Sequence, residues 1–268
     1  MNDRDAIDVI VLAGDRGPGD PLARAAGVSG KTLVPVAGRA MLTRVLDTLS
    51  AWPGCGRIIL LSPGAPDYLA AIDCSRVDAD RLLRIDPEPS PSQSVAAAIA
   101  AAQVSDRERL MLVTADHPLL RHAWLDRMAP DGVGARDFRV GVVDWALVAE
   151  RFPENRRTRY RFSDRSICGT NLFEFSAAAG RSLVASWRTV EQQRKRPWRI
   201  VALLGWANLG RYLTGRLDMA SAFGALSDRL GIGLAPVSID DPLAAVDVDS
   251  PADLALVEPL LVAPEPGQ

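Results

Sequence analysis

Apolar runs and helical patterns alternate through the first half of the chain, and this alternation constrains the fold more than any other feature. Ile7–Leu12 is mainly β-branched and apolar, as a strand buried on both faces requires. Further strand patterns occur at residues 58–61, 82–85, 110–114 and 140–143, and helical patterns at 41–49, 95–102 and from Pro118 to about Met128. This order predicts a three-layer α/β fold, in which a mostly parallel sheet has helices on both faces.

The rhythm changes after residue 144. The segment RFPENRRTRYRF is polar and basic, which indicates a surface loop or hairpin. Helical patterns follow near 177–193, 198–213 and 219–230, strand patterns return at 234–239 and 245–248, and a capped helix begins at Ser250. We therefore predict an α/β core over residues 1–144, a mostly helical insertion over 145–230, a return to the core over 231–262 and a tail over 263–268.

The composition excludes several classes of protein. The 31 basic and 33 acidic side chains give a formal net charge of −2, so nucleic acid is not an expected partner. Neither zinc-ligand spacing nor a disulfide framework is present among the three cysteines, Cys55, Cys74 and Cys168. A reducing cytoplasm is the expected setting, because the first apolar run is too short for a signal peptide and residues 200–217 are too polar for a membrane span.

A glycine-rich stretch, LAGDRGPGDPLARAAGVSGK, follows the first strand and ends at Lys31. Such a turn at the carboxyl end of a parallel strand exposes backbone N–H groups to an anion, and Arg16 and Lys31 can neutralise phosphate charge. An ordinary flexible connection is the alternative. The stretch is not a dinucleotide fingerprint, because Leu22 replaces the third glycine, and not a Walker A loop, because Ala25 replaces the first.

Three aspartates stand at the ends of strand patterns. Asp116 follows the strand at 110–114, while Asp247 and Asp249 end the last strand pattern and would share one face by alternation. Buried carboxylates are costly without a partner, and Mg²⁺ bridging to phosphate oxygens would supply one. Asp116 can instead cap a helix, and the other two can lie in a solvated turn.

The segment PSPSQSVAAAIAAA starts the helix at 95–102 with small polar side chains. Ser92 or Ser94 can cap that helix. A helix N-terminus also suits a phosphate group, so plain capping and nucleotide binding are both open for this segment.

Together these motifs resemble those of the MobA-like nucleotidyltransferase superfamily. The matching segments occur in the family's order: VIVLAG with the loop to Lys31, LVPVAGRAMLTRVLDTL, SQSVAAAI, VTADHPLL and VDVDSPADL. The resemblance implies a GT-A-like, Rossmann-like fold with a helical insertion, and a nucleotidyltransferase that uses Mg²⁺ or Mn²⁺. It also implies transfer of a nucleotide from a triphosphate, CTP or GTP ahead of ATP, to a cofactor precursor, sugar phosphate or lipid phosphate, with release of pyrophosphate.

The resemblance assigns site residues position by position. The nucleotide would be bound by Leu12, Ala13, Gly14, Arg16, Lys31 and Ser94. Lys31 and Asp116 would be catalytic, and the cation would be held by Asp116 and Asp249, with Asp247 as a further candidate. Two features depart from the family: Asp15 replaces a second glycine, and the insertion DPLARAAGV lengthens the loop. These departures leave a catalytically silent nucleotide-binding regulatory protein open.

The segment ICGTNLFEF resembles the place where related sugar enzymes hold the acceptor. Its candidate acceptor ligands are Gly169, Thr170 and Asn171, and a strand with a glycine bulge is the favoured alternative. Cys168 is expected to be packed, because no histidine is near it in sequence. A structural role is expected for His117.

Aromatic and basic side chains are mixed over residues 187–216. The mixture suits a membrane surface or a lipid-phosphate acceptor, which would place the protein at the inner face of the membrane. A helical lid with a small tryptophan core is the favoured alternative. The nearest rival activity is a GT-A glycosyltransferase, which often carries Asp-x-Asp where this chain has Thr-Ala-Asp-His. The sequence does not indicate an oligomeric state.

Overall fold

A computed structural model describes residues 6–14, 19–106, 108–129, 137–154, 157–191 and 205–262. The strands are β1 Ile7–Leu12, β2 Pro35–Val36, β3 Arg39–Ala40, β4 Cys55–Leu61, β5 Leu82–Ile85, β6 Arg109–Thr114, β7 Asp137–Asp144, β8 Tyr160–Arg161, β9 Ser166–Ser176 and β10 Gly233–Ser238. The helices are α1 Pro21–Ala26, α2 Met41–Ala51, α3 Pro66–Ala70, α4 Pro91–Ala101, α5 His122–Met128, α6 Trp145–Arg151, α7 Ala177–Glu191, α8 Trp206–Leu213, α9 Met219–Leu230 and α10 Pro251–Val262. Short 3₁₀ turns lie at Lys31–Leu33, Ala79–Arg81 and Pro242–Ala245.

The main sheet has eight strands in the described part of the chain, in the order β10-β7-β9-β6-β1-β4-β5, with β8 paired to β9. The pairs β1–β4, β4–β5 and β7–β10 are parallel, whereas β9 runs antiparallel to β7 and β8. The β-branched run of β1 is buried at its centre, as a strand covered on both faces must be. The predicted mostly parallel α/β fold is confirmed.

Backbone contacts divide the chain into two units at places that differ from the predicted boundaries. The first unit comprises Met1–Pro87, Leu112–Asp126 and Val246–Gln268, and the second comprises Glu88–Met111 and Arg127–Ala245. Within the predicted insertion, the 11-residue strand β9 pairs with β7 along most of its length, and the predicted domain boundaries stay predictions. Among the described residues, no helix has the length and apolar character to cross a bilayer.

Three local predictions are wrong. Ser90, not Ser92 or Ser94, caps α4: its hydroxyl accepts from the N–H of Gln93 at 3.4 Å, and Pro91 takes the first helical position. The helix expected from Pro118 begins only at His122, because the residues after Asp116 first form a turn. Residues 245–248 are not a strand: a 3₁₀ turn ends at Ala245, and irregular backbone follows.

Strand β9 contains a bulge opposite Gly141. Val142 pairs with Gly169 and Val140 pairs with Phe173, so the residues between them face a single residue of β7. Asn171 has a φ of 56°, a left-handed conformation in which asparagine is enriched. The alternative of a bulged strand is therefore confirmed, although the unusual backbone conformation lies at Asn171 and not at glycine.

We expect Gly141→Ala to destabilise the protein by about 2 kcal/mol or more, because overpacking a buried strand is costly. A Cβ at this position would lie 2.3 Å from Oγ1 of Thr170 and 3.2 Å from the backbone oxygen of Leu172. Gly169→Ala is the matched control, since a Cβ there meets nothing within 4 Å. Urea denaturation of both variants measures the difference, and equal free energies of unfolding would contradict the bulge geometry.

Candidate active site

The candidate site in the first unit lies at the carboxyl ends of three strands, β1, β4 and β6. The N–H of Ala13 donates to Leu61 at the end of β4 at 3.0 Å, and the N–H of Ala115 donates to Leu12 at the end of β1 at 2.9 Å. These bonds continue the sheet beyond its regular strands. They fix the residues after β1 and β6, which is where ligands of open α/β sheets bind.

A backbone bond from the neighbouring Val248 places Asp249 at this edge. The N–H of Val248 donates to the carbonyl of Asp116 at 2.8 Å. On the other side, Ser250 caps α10: its hydroxyl accepts from the N–H of Asp253 at 3.3 Å and donates to the Asp253 carboxylate at 2.7 Å. Since 246–249 is not a strand, the alternation that gave Asp247 and Asp249 a common face does not apply, and Asp247 stays a predicted cation ligand.

Lys31 lies between the two aspartates that the sequence singled out. Its Nζ donates to Oδ2 of Asp116 at 2.7 Å and also to Oδ1 of Asp249. The lysine side chain is 15% exposed and Asp116 is 20% exposed, whereas Asp249 is 59% exposed and faces solvent. The structure thus brings together three residues that are more than 80 positions apart in sequence.

The pKa of Lys31 is affected by both burial and its two carboxylate neighbours. Burial is the largest single influence and lowers the pKa, but the charges of Asp116 and Asp249 and the hydrogen bonds to them together outweigh it, so the pKa is raised. The ammonium group therefore stays charged at neutral pH. It acts as a counter-ion to two carboxylates that would otherwise repel each other.

The same two carboxylates suit a hard divalent cation. Oδ1 of Asp116 is buried and has no hydrogen-bond partner in the described part of the chain. No cluster of three or more His, Cys, Asp or Glu side chains that could hold a metal occurs among the described residues. Because Mg²⁺ is commonly bound by one or two carboxylates together with substrate phosphates, the donor set of Asp116 and Asp249 fits such an ion.

The insertion in the glycine-rich loop is a folded helix. The carboxylate of Asp20 accepts from the N–H groups of Leu22 and Ala23 at 2.9 and 3.2 Å, and Gly27 ends α1 with a φ of 67°. The extra length is thus accommodated in the described half of the loop. Gly14 is exposed, and among the described residues an added Cβ there would meet only Pro87, at 3.7 Å. Residues 15–18, and with them the predicted ligand Arg16, lie outside the described residues.

Tyr68 belongs to the site although sequence reasoning missed it. Its side chain is 2% exposed, and its hydroxyl lies 2.5 Å from Oγ1 of Thr32 and donates to the carbonyl of Ala13 at 3.3 Å. It stands in a short helix, α3, that belongs to none of the motifs. No pattern in the sequence links Tyr68 to the loop, because the contact depends on how three distant segments fold.

The other nucleotide and acceptor candidates lie in the second unit. Ser94 is 3% exposed, and its hydroxyl accepts from the N–H of Glu88 at 2.8 Å and donates to the carbonyl of Ser90 at 3.0 Å. Thr170 is buried in the bulge of β9, and its Oγ1 accepts from the N–H of Leu172 at 3.3 Å. Nucleotide binding by Ser94 and acceptor binding by Gly169, Thr170 and Asn171 stay predictions.

Cys168 and His117 both occupy packed positions. Cys168 is buried, its thiol donates to the carbonyl of Val143 at 3.8 Å, and burial raises its pKa to about 11. This thiol is protonated at neutral pH and is a poor nucleophile. The ring of His117 is 1% exposed and lies 5.4 Å from the ring of Trp124, centroid to centroid. These positions agree with the expected structural roles.

Residues 192–204 of the basic aromatic insertion lie outside the described residues. In its described part, α8 exposes Trp206 to 80% and Leu213 to 75%, so Trp206 is not packed in a small core. The two side chains are seven residues apart and share one face of the helix. A membrane-surface or acceptor contact by residues 187–216 stays a prediction.

A mostly parallel α/β sheet with a lysine and two carboxylates at its carboxyl edge is typical of enzymes that bind phosphate groups. The model of the MobA-like NTP transferase domain matches residues 9–151, more than half of the chain, and the chain belongs to this family. The predicted family and the predicted enzyme class, a nucleotidyltransferase, are confirmed.

Solved structures share the fold over nearly the whole chain. A hypothetical transferase from Thermus thermophilus is 26% identical, with a TM-score of 0.75, and the match covers 93% of this chain and 99% of that one. A CMP:2-keto-3-deoxy-manno-octonic acid synthetase complexed with CTP is 13% identical, with a TM-score of 0.56 and coverage of 96% and 98%. A 4-diphosphocytidyl-2C-methyl-D-erythritol synthase from Anaerococcus prevotii is 10% identical, with a TM-score of 0.55 and coverage of 97% and 98%. Comparison with curated protein sequences finds no match.

Proposed function

We propose that the protein transfers a nucleoside monophosphate from a nucleoside triphosphate to an acceptor phosphate or hydroxyl, with a divalent cation and with release of pyrophosphate. The observation that carries the proposal is the position of Lys31 between Asp116 and Asp249. A cationic group and two carboxylates at one sheet edge are what binding of a triphosphate with its cation requires. In the reaction, an acceptor oxygen forms a bond to the α-phosphorus while the bond from that phosphorus to the departing pyrophosphate breaks.

Lys31 has two roles in this proposal. In the nucleotide-free state its ammonium group holds the two carboxylates together. When a triphosphate binds, the same group turns to the phosphate oxygens and stabilises the negative charge that accumulates on the leaving pyrophosphate. The exposed position of Asp249 at the rim leaves room for this exchange.

In this proposal the backbone after β1 helps to align the reactants. The exposed Gly14 allows the backbone after β1 to come close to the phosphates. Alignment and charge neutralisation account for most of the catalysis in transfers of this kind, and no covalent protein nucleophile is required. Asp116 and Asp249 would hold Mg²⁺ or Mn²⁺, which neutralises phosphate charge when bound.

CTP is the favoured substrate, followed by GTP. Two of the structures that share the fold carry cytidine nucleotides in their names, and one of them is a complex with CTP. The acceptor we propose is a small molecule or a lipid that carries a phosphate or hydroxyl group. The exposed Trp206 and Leu213 of α8 suit contact with an amphiphilic molecule.

The proposal is tested by a thermal-shift screen with CTP, GTP, ATP and UTP, each with and without Mg²⁺. A ligand at 100 times its Kd stabilises the native state by about 2.7 kcal/mol, so one triphosphate with Mg²⁺ should raise the Tm by about 5 °C or more. Pyrophosphate release with that triphosphate is then measured over a panel of acceptors. If no triphosphate at millimolar concentration changes the Tm, the proposed function is wrong.

A further inference from the structure

The hydroxyl of Tyr68 joins the two segments that carry the proposed phosphate ligands. One segment is the 3₁₀ turn Lys31–Leu33, where Tyr68 contacts Oγ1 of Thr32 at 2.5 Å. The other is the end of β1, where Tyr68 donates to the carbonyl of Ala13 at 3.3 Å. The tyrosine hydroxyl donates to Ala13, so in the contact with Thr32 the threonine hydroxyl is the donor.

Packing alone does not explain these hydroxyls. Tyr68 is 2% exposed and Thr32 is 4% exposed, and each would keep nearly the same shape as phenylalanine or valine. A buried hydroxyl is costly unless it is bonded, and phenylalanine or valine would fill the same space without that requirement. What the two hydroxyls add is a fixed distance between the turn and the loop.

The bond to Ala13 completes the fixation of that residue. Its N–H already donates to Leu61, so both backbone polar groups of Ala13 are held. The chain leaves this anchored residue through Gly14 into the glycine-rich loop. The start of the glycine-rich loop and the turn that carries Lys31 are therefore both bonded to one tyrosine.

We propose that Tyr68 is a positioning residue for the triphosphate tail. It holds the turn of Lys31 through Thr32, and it holds the start of the glycine-rich loop through Ala13. The inference deepens the proposed function and rests on it. Under the proposed function both elements bind phosphate groups, so we expect Tyr68 to affect recognition of the β- and γ-phosphates and not that of the base.

Binding to a triphosphate and to its own monophosphate separates this role from a general structural one. The probes are the triphosphate among CTP, GTP, ATP and UTP that stabilises the wild type most, with Mg²⁺, and the corresponding monophosphate. Loss of one hydrogen bond corresponds to about a fivefold change in an equilibrium constant. We expect Thr32→Val, which loses only the bond between the two side chains, to raise the Kd of the triphosphate about fivefold, and Tyr68→Phe, which also loses the bond to Ala13, to raise it further. Both variants should leave the Kd of the monophosphate within about twofold.

The Kd values are measured by calorimetry, and two further variants make the comparison more specific. Thr32→Ser keeps the hydroxyl and should restore triphosphate binding. The double variant should bind like Tyr68→Phe alone, since the bond between the two side chains can be lost only once. Tyr160→Phe is the matched control, because it removes the hydroxyl of an exposed tyrosine in β8, outside the candidate site, and should change neither Kd.

The outcomes separate the two proposals. If the wild type binds none of the four triphosphates, the proposed function fails, and the role of Tyr68 fails with it. If the wild type binds but Tyr68→Phe weakens both ligands equally, or neither, only the positioning role is overturned. Should Tyr68→Phe not fold, Thr32→Val decides by the same comparison, because it keeps the bond from Tyr68 to Ala13.

Discussion

Asp116→Asn is expected to lower pyrophosphate release by roughly 10³-fold while the protein keeps its fold. The substitution preserves the size of the side chain and removes its charge. Oδ2 of Asp116 accepts from Lys31, and its buried Oδ1 is available to a cation. The substitution therefore weakens both the ion pair with Lys31 and the proposed cation site. An amide binds a hard divalent cation much more weakly than a carboxylate does.

The control for this variant is Asp78→Asn. Asp78 is an exposed aspartate that accepts from the N–H of Asp80 at 3.1 Å, a bond that an asparagine oxygen also makes. Rates of pyrophosphate release and urea denaturation curves are measured for both variants. Turnover of Asp116→Asn close to that of the wild type would show that Asp116 is not in the catalytic machinery.

Lys31→Met has the second largest expected effect, a loss of about 10²-fold in the rate of nucleotidyl transfer. Methionine fills much of the same volume, so the 3₁₀ turn should persist, but the charge that stabilises the leaving pyrophosphate is gone. The rate of a single turnover with saturating triphosphate measures the loss directly. A normal single-turnover rate in this variant would show that Lys31 takes no part in the chemical step.

The same variant gives a second result that needs no turnover. In the wild type the ammonium of Lys31 competes with a cation for Asp116 and Asp249. Removing a partly exposed ion pair of this kind should strengthen binding of Mn²⁺ alone by about fivefold, as measured by electron paramagnetic resonance. Lys195→Met, which removes the chain's other lysine, is the matched control for Mn²⁺ binding. Weaker Mn²⁺ binding by Lys31→Met would contradict the proposed competition between Lys31 and the metal cation for the two carboxylates.

Lys31 and Asp116 could be identified as candidate site residues from sequence, because the features that single them out are local. Lys31 ends a glycine-rich stretch, and Asp116 follows a buried strand. A charged side chain in such a position needs a partner, whatever the rest of the chain does. The strand β1 and the helix α2 were predictable for the same reason, since their apolar spacing is visible over a few residues.

The placement of Asp249 could not be predicted correctly. Its segment was expected to be a strand, yet it is held by one backbone bond from Val248 to Asp116 and by the cap of α10. Two residues more than 100 positions apart form that bond, and no local pattern encodes it. The contacts of Tyr68 could not be predicted for the same reason, because they also join segments that are distant in sequence. The pairing of strand β9 with β7 could not be predicted from sequence, because it is likewise long-range.

The central claim is that a triphosphate and its cation bind where Lys31 meets Asp116 and Asp249. A crystal structure of the protein with Mn²⁺ and the triphosphate that stabilises it most tests this claim directly, because Mn²⁺ is located by its anomalous scattering. We predict an anomalous peak in contact with carboxylate oxygens of Asp116 and Asp249, with Nζ of Lys31 bound to phosphate oxygens. A triphosphate bound elsewhere, or Mn²⁺ bound with Lys31 still paired to both aspartates, would contradict the claim.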